Sequence, residues 1–270
     1  MSNQKNNGSE YGNWVSNKFI GKSIAAFLFF AVITVLLFIL PKSPGIAIHI
    51  SRAVMIVISA FFLVSSVYLF VARHLFSYTG GNLQKRVLDE IRDRIVWDGE
   101  GKALDIGCGS GALTIDLAKK YGNAEIIGLD YWGKSNWDYD KTQCETNAKI
   151  ENVEGNTKFI QGSASGLPFE DDFFDLVVSN MTFHEVGDSK DKFVPIREAL
   201  RVLKKGRSFV FQDLFKLKAY YGSTDHLIQS IKEMGVREVF FVDISEMDYV
   251  PVILKLPFML GTAGILFGKK

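Results

Sequence analysis

Cysteine, metal-binding clusters and blocks of one charge are scarce in this chain of 270 residues. Only two cysteines occur, Cys108 and Cys144, which argues against a disulfide framework and for reduced side chains in the cytosol. No group of His and Cys has metal-ligand spacing, so we expect no metal site. The net charge of +1 comes without a basic stripe, so we expect no nucleic-acid partner.

Charge is also rare in the first third of the chain, where two long apolar runs stand instead. Residues 24–40 and 53–72 contain no charged side chain. As helices they would extend about 25 Å and 30 Å, close to the thickness of the hydrocarbon core of a membrane. Prolines in residues 41–45 would break the helix between them. The sequence predicts a transmembrane helical hairpin at 23–73, preceded by a cytoplasmic segment, 1–22.

Two alternatives to a membrane hairpin stay open. A cleaved signal peptide is disfavoured because the first run is long for such a segment and the second run would still span. A buried hairpin of a soluble protein is disfavoured because both runs are apolar on every side rather than on one stripe.

The most informative stretch is 103–111, Ala-Leu-Asp-Ile-Gly-Cys-Gly-Ser-Gly. It joins a predicted strand, 102–106, to a predicted amphipathic helix, 112–121. Glycines at a strand-to-helix turn let the backbone approach a ligand where a Cβ would obstruct it. We therefore predict a ligand-binding turn here.

The glycines alone do not decide which ligand binds. Gly107, Gly109 and Ala112 also satisfy the dinucleotide pattern Gly-x-Gly-x-x-Ala, and Asp130 lies near the expected ribose distance. Asp105 opposes that interpretation, because a carboxylate beside the turn would repel a pyrophosphate. A ligand with a cationic group is favoured.

The Asp-x-Gly-x-Gly-x-Gly stretch resembles motif I of the class I S-adenosylmethionine (SAM) dependent methyltransferases. Residues 166–169 and 173–180, Leu-Pro-Phe followed by Phe-Asp-Leu-Val-Val-Ser-Asn, match a further signature of that family in the right order. The resemblance extends from Tyr78 to the end of the sequence. It implies an α/β domain at 74–270 with a Rossmann-like sheet of seven strands, the last antiparallel.

The same resemblance implies the cofactor, SAM, and a set of contacts to it. The glycine turn and Asp105 would position the amino-acid end, Asp130 the ribose, and Asn180 would border the sulfonium. Ser163 stands where many relatives carry an acid for the adenine amino group, so that contact is weaker. The full implied set is Asp105, Gly107, Cys108, Gly109, Gly111, Asp130, Tyr131, Ser163, Ala164 and Asn180.

Catalysis is assigned to Asn180 and His184. His184 has a side-chain pKa near neutrality and is a candidate general base or acceptor-orienting group; a structural histidine that caps the next helix is the alternative. The aromatic segment 131–139 either lines an acceptor mouth, rests at the lipid interface or forms a local packing cluster.

Later elements follow the family pattern. We predict a helix over 198–207 that ends in lysines and a C′ glycine, followed by a strand at 208–214. Further strands are predicted at 236–244 and 263–268.

These features together predict a multi-pass membrane protein whose methyltransferase domain faces the cytoplasm, since SAM is a cytosolic metabolite. The acceptor is expected to be a small lipophilic or lipid-like molecule, because an anchored domain samples solutes of the bilayer. An NAD(P)-dependent reductase and a non-catalytic SAM-binding membrane adaptor are the alternatives.

Overall fold

A computed structural model describes residues 8–39, 45–133 and 139–270, and these form two compact units. The helical unit is Asn13–Lys85. The α/β unit comprises residues 8–12 and Arg86–Lys270. The predicted helix break at 41–44 lies outside the described residues.

Two long helices dominate the helical unit, α1 (Asn17–Ile39) and α2 (Ile46–Phe76). Small hydroxyl side chains lie between them: Ser66 Oγ donates to Ser23 Oγ over 2.9 Å, and Thr34 Oγ1 lies 3.2 Å from Ser59 Oγ. Small polar residues let helix backbones approach closely, as in helix pairs of membrane proteins.

The outward faces of both helices are apolar. Leu28, Phe29 and Val35 of α1 and Phe61 and Phe70 of α2 are each more than half exposed. Both helices are long and apolar enough to cross a membrane. They therefore satisfy the length and composition of the predicted hairpin.

The α/β unit is organised around one seven-stranded sheet of order β3-β2-β1-β4-β5-β7-β6. β7 pairs antiparallel with both neighbours, and all other pairs are parallel. The predicted fold class is thus confirmed. The strands are β1 (Lys102–Ile106), β2 (Glu125–Asp130), β3 (Thr157–Gln161), β4 (Phe174–Asn180), β5 (Leu203–Asp213), β6 (Glu238–Asp243) and β7 (Gly264–Lys269).

Helices connect the strands, and the central strands β4 and β5 are buried along most of their length. Phe174 to Ser179 of β4 and Ser208 to Asp213 of β5 are all buried. The remaining helices are α3 (Leu83–Asp93), α4 (Ala112–Lys120), α5 (Lys141–Ile150), α6 (Phe193–Val202), α7 (Lys218–Tyr221) and α8 (Thr224–Glu233).

The predicted helix over 198–207 is wrong at its end. α6 stops at Val202, and Leu203 already belongs to β5, where it is buried and pairs with Phe174. Gly206, expected as a C′ residue, lies in the strand with φ 75° and donates its N–H to the Lys270 carbonyl. Pairing with β4 and the C-terminal residue outweighs the local helix-end signal.

Parallel pairing brings the carboxyl ends of the strands to one edge of the sheet. Ile106, Asp130, Asn180 and Asp213 each end a strand there. Polar side chains that are far apart in sequence therefore meet at this edge.

Gly128 of β2 provides space beside this edge. It pairs with Asp105, and a Cβ built there would lie 2.8 Å from Thr114 Oγ1 and 3.0 Å from Cys108 Sγ. We expect Gly128→Ala to overpack the contact between β2 and α4, at a cost of roughly 1 to 3 kcal/mol. Thermal unfolding should show a midpoint lower by about 2 to 10 °C. Gly166→Ala is the matched control, since a Cβ there meets nothing within 4 Å; equal midpoints for both variants would contradict the packing argument.

Candidate cofactor and methyl-transfer site

The glycine turn between β1 and α4 follows a left-handed path. Gly107, Gly109 and Gly111 have φ of 73°, 56° and 84°, values that residues with a Cβ rarely adopt. The turn is anchored to the end of β2, because the N–H groups of Gly107 and Cys108 donate to the Leu129 carbonyl over 2.7 Å and 3.1 Å. The three glycines are therefore required by the backbone, as the sequence predicts.

Asp130 connects this turn to the segment after β2. Its Oδ2 accepts the Gly109 N–H over 2.9 Å, and its Oδ1 accepts the Trp132 N–H over 2.9 Å. The Trp132 indole N–H donates in turn to the Gly109 carbonyl over 2.9 Å. Trp132 thus supports the turn. This contact is the kind expected if the aromatic segment 131–139 forms a local packing cluster. Tyr131 is 65 % exposed, and residues 134–138 lie outside the described part.

Asp105 is buried directly below the glycine turn. Its Oδ2 accepts a hydrogen bond from Thr114 Oγ1 over 2.7 Å, whereas its Oδ1 is buried without a partner among the described residues. Burial raises the pKa of this carboxyl to about 7, against the lowering effect of the Thr114 bond. A cationic group of a ligand would favour the ionised form.

Two further buried oxygens at this edge also have no partner in the described part of the chain, Asn180 Oδ1 and Gln212 Oε1. These residues face one another in the β4–β5 register, so their side chains are neighbours. Buried acceptors without donors cost about 1 to 3 kcal/mol each. This set of acceptor oxygens fits a ligand that carries positive charge or hydrogen-bond donors, and SAM has both.

Two residues with strained backbones lie at the same edge. Met181, directly after Asn180, has φ 53°, and Trp132, two residues after Asp130, has φ 41°. Non-glycine residues in this region cost of the order of 1 to 3 kcal/mol, and such strain clusters at ligand sites. Two strand ends thus hold strained residues beside predicted contacts.

His184 lies in a 3₁₀ turn, Phe183–Glu185, that follows β4. Its Nδ1 lies 2.6 Å from Oδ1 of Asp213, the last residue of β5, which is fully buried. The backbone N–H of His184 also donates to Asp213 Oδ2 over 3.1 Å. The two residues form a dyad across 29 residues of sequence.

The dyad changes the titration of the imidazole. Burial lowers the pKa of His184, but the charge of Asp213 and its hydrogen bond raise it more, so the net shift is upward from 6.5. The charge and hydrogen bond of Asp213 therefore stabilise the protonated imidazole.

Ser163, which stands where many relatives carry an acid, lies beside an acidic side chain. Its Oγ donates over 2.6 Å to Asp188 Oδ2, which also accepts from Ser165 Oγ over 2.7 Å. These bonds lower the pKa of Asp188. Ala164, between the two serines, is buried. Asp188 was missed because no local pattern relates it to the loop after β3.

The two cysteines are free and buried. Cys144 of α5 donates its S–H to the Gly109 carbonyl over 3.1 Å, so it supports the turn from the helix side. Burial, followed by the neighbouring Cys144, raises the pKa of Cys108 well above its ordinary value. The Cys108 thiol is therefore not ionised at neutral pH.

Residues 8–12 also pack on the turn, a contact that sequence reasoning missed because the segment has no motif. Ser110 Oγ donates to the Tyr11 carbonyl over 2.8 Å. Asn147 of α5 exchanges two hydrogen bonds with the Glu10 backbone, at 3.0 Å and 2.9 Å, and donates to the Ser110 carbonyl over 3.0 Å. Residues 8–12 therefore contact the glycine turn and α5.

The family comparison matches the part of the chain that runs from β1 to β5. Residues 104–211 fit the model of a family described as a methyltransferase domain. The demethylmenaquinone methyltransferase of Staphylococcus aureus strain MRSA252 is 39 % identical over 106 residues, which are 39 % of this chain and 39 % of that relative. The chain thus spans about two fifths of the length of the curated relatives it matches.

Solved structures match a larger part of the chain in shape. Geranyl diphosphate C-methyltransferase from Streptomyces coelicolor A3(2), solved with S-adenosyl-L-homocysteine, has a TM-score of 0.53 at 12 % identity and covers 70 % of this chain and 80 % of its own. The [4+2]-cyclase SpnF has a TM-score of 0.51 at 19 % identity, over 68 % and 80 %. Residues 104–211 of this chain therefore match a methyltransferase-domain model, and the α/β unit has the fold of these solved structures.

Proposed function

We propose that this protein is a membrane-anchored SAM-dependent methyltransferase that acts on a small lipophilic acceptor. The observation that carries the proposal is the glycine turn together with three buried acceptor oxygens, on Asp105, Asn180 and Gln212, that have no partner among the described residues. The domain family and the methyltransferase relatives support the same activity.

The chain's own groups suit SAM better than a dinucleotide. Gly107 to Gly111 and Asp105 would hold the amino-acid end, Asp130 the ribose, and Asn180 the region of the sulfonium. When bound, SAM supplies an electrophilic methyl group. The pyrophosphate of NAD(P), in contrast, would face the Asp105 carboxyl rather than hydrogen-bond donors.

An apolar chain segment beside the site favours a lipophilic acceptor. The segment between β6 and β7 emerges at the carboxyl edge, and it exposes Val252 by 83 % and Leu256 by 38 %. Two compared proteins carry isoprenoid acceptors in their names, demethylmenaquinone and geranyl diphosphate. We infer an acceptor with a ring or chain that partitions into membranes.

The anchor in this proposal is the pair α1 and α2. Their exposed apolar faces are those that a lipid environment would cover, and large exposed apolar surfaces are unusual in soluble monomers. Because SAM is made in the cytosol, the α/β unit would face the cytoplasm.

A non-catalytic SAM-binding adaptor is the second candidate, because fold alone does not establish methyl transfer: SpnF, with the same fold, is named a cyclase. The full chain, in detergent or lipid discs, should transfer label from methyl-labelled SAM to a component of a lipid extract. Retained S-adenosylhomocysteine binding without any labelled product would favour the adaptor over the enzyme.

The cofactor assignment predicts which ligand stabilises the protein. S-adenosylhomocysteine should raise the thermal unfolding midpoint, and NADPH should not. Asp130→Ala removes the acceptor of the Gly109 N–H and of the ribose hydroxyls, so the dissociation constant for S-adenosylhomocysteine should increase about 10- to 100-fold by calorimetry. Glu154→Gln, at an exposed acid, is the control. Protection by NADPH instead would point to the reductase.

The raised pKa of Asp105 predicts that the substitution Asp105→Asn has opposite effects on stability and on cofactor binding. Because its pKa is about 7 in the folded state, the folded chain keeps a proton that the unfolded chain loses above about pH 4. The free energy of unfolding therefore falls as pH rises from about 4 to 7, by ~4 kcal/mol at most. Asp105→Asn cannot ionise and should unfold at a higher temperature than wild type at pH 8, yet bind S-adenosylhomocysteine more weakly.

The check is thermal unfolding of both proteins without ligand from pH 5 to pH 8. The advantage of Asp105→Asn should grow with pH across this window. A difference that is constant with pH would show that Asp105 is not protonated in the folded protein.

A further inference from the structure

The His184–Asp213 dyad has an arrangement that a helix-capping histidine does not need. Asp213 Oδ1 lies 2.6 Å from His184 Nδ1 and accepts the backbone N–H of Leu214 over 2.5 Å, while Oδ2 accepts the backbone N–H of His184 over 3.1 Å. Both oxygens of this fully buried carboxyl group are therefore held by backbone donors. The strand end therefore fixes both the carboxylate and the imidazole plane.

Both oxygens of the carboxyl group accept backbone N–H groups, so the ring is placed to donate from Nδ1. With the hydrogen on Nδ1, the lone pair of the neutral ring lies on Nε2. The imidazole side chain is 16 % exposed, so the ring is reachable at the edge where Asn180 ends β4.

We propose that Asp213 is a positioning residue that holds His184 in this tautomer, so that Nε2 takes the proton of an acceptor hydroxyl of the phenol or quinol class. The inference rests on the proposed methyltransferase function and narrows its substrate class.

The step balances without any further reactant. The hydroxyl proton moves to His184 Nε2, the oxygen electron pair forms the new bond to the methyl carbon, and the electron pair of the sulfur–carbon bond stays on sulfur. The imidazolium is stabilised by Asp213 and returns its proton to solvent. A phenol has a pKa near 10 and needs such a base at neutral pH, whereas an aromatic thiol is already largely ionised.

Three charged groups act on the imidazole: Asp213 and Glu185 raise its pKa, and Lys192 lowers it. Glu185 Oε1 lies 3.9 Å from Nε2. The base form of His184 therefore predominates only above its raised pKa, and the rate of transfer to a phenol should rise with pH through that value.

Two matched probes separate loss of a base from general damage. The full chain in lipid discs is assayed with labelled SAM and either 4-octylphenol or 4-octylthiophenol. Asp213→Asn and His184→Gln should each lower kcat for the phenol by about 10²-fold or more, with less than a threefold change for the thiol and little change in KM. Asp213→Glu should recover part of the phenol rate. In Asp213→Asn, the ascending limb of the phenol pH profile should move to lower pH.

Nitrogen NMR of the histidine rings tests the tautomer without turnover. The chain has four histidines, and the His184 signals are those missing from His184→Gln. Above the raised pKa of the ring, the single hydrogen should reside on Nδ1 in the wild type and redistribute in Asp213→Asn, while S-adenosylhomocysteine binding persists in both proteins.

Different results would contradict the role of the dyad and the proposed function. A hydrogen on Nε2 in the wild type, equal losses for phenol and thiol, or transfer to the thiol alone would each overturn the role of the dyad. Absence of S-adenosylhomocysteine binding in the wild type would instead refute the proposed function itself.

Discussion

The site depends on a chain reversal that only glycine can make. Gly107 to Gly111 pass through left-handed conformations while their N–H groups bond to the Leu129 carbonyl and to Asp130 at the end of β2. If the turn moved, Asp130 would lose its partner and α4 would no longer begin at Ala112. Fixing the turn to the neighbouring strand orders the residues that we propose to contact the cofactor before any ligand arrives, which would reduce the cost of binding.

The parts of this arrangement that follow local rules could be read from the sequence. The glycine turn, its flanking strand and helix, and the Phe-Asp-Leu-Val-Val-Ser-Asn strand all have signals within about ten residues. The end of α6 could not be placed, because Leu203 follows its pairing with Phe174 rather than the lysine and glycine that resemble a helix end. Pairs such as His184 with Asp213, or Ser163 with Asp188, depend on strand register and loop contacts that no local pattern encodes.

The residues at the carboxyl edge of the sheet destabilise the protein, and the rest of the fold compensates for this. Asp105, Asn180 and Gln212 each have a buried oxygen that accepts no hydrogen bond from the described residues, and Met181 beside them has a strained backbone. Such a set persists only because β4 and β5 are buried along most of their length and fix the edge from behind. The stored cost is released when a complementary ligand binds, which links affinity to the same atoms that weaken the unliganded protein.

The position of residues 8–12 has a practical consequence for anyone who wishes to obtain the α/β unit alone. Deleting everything before Arg86 would discard the two helices, but also the strip that covers Ser110 and Asn147. The amide of Asn147 would lose two of its four hydrogen bonds, and Ser110 Oγ would lose its bond to the Tyr11 carbonyl. A soluble version should instead splice residues 8–12 to the start of α3 through a flexible linker, so that the pentapeptide stays in place.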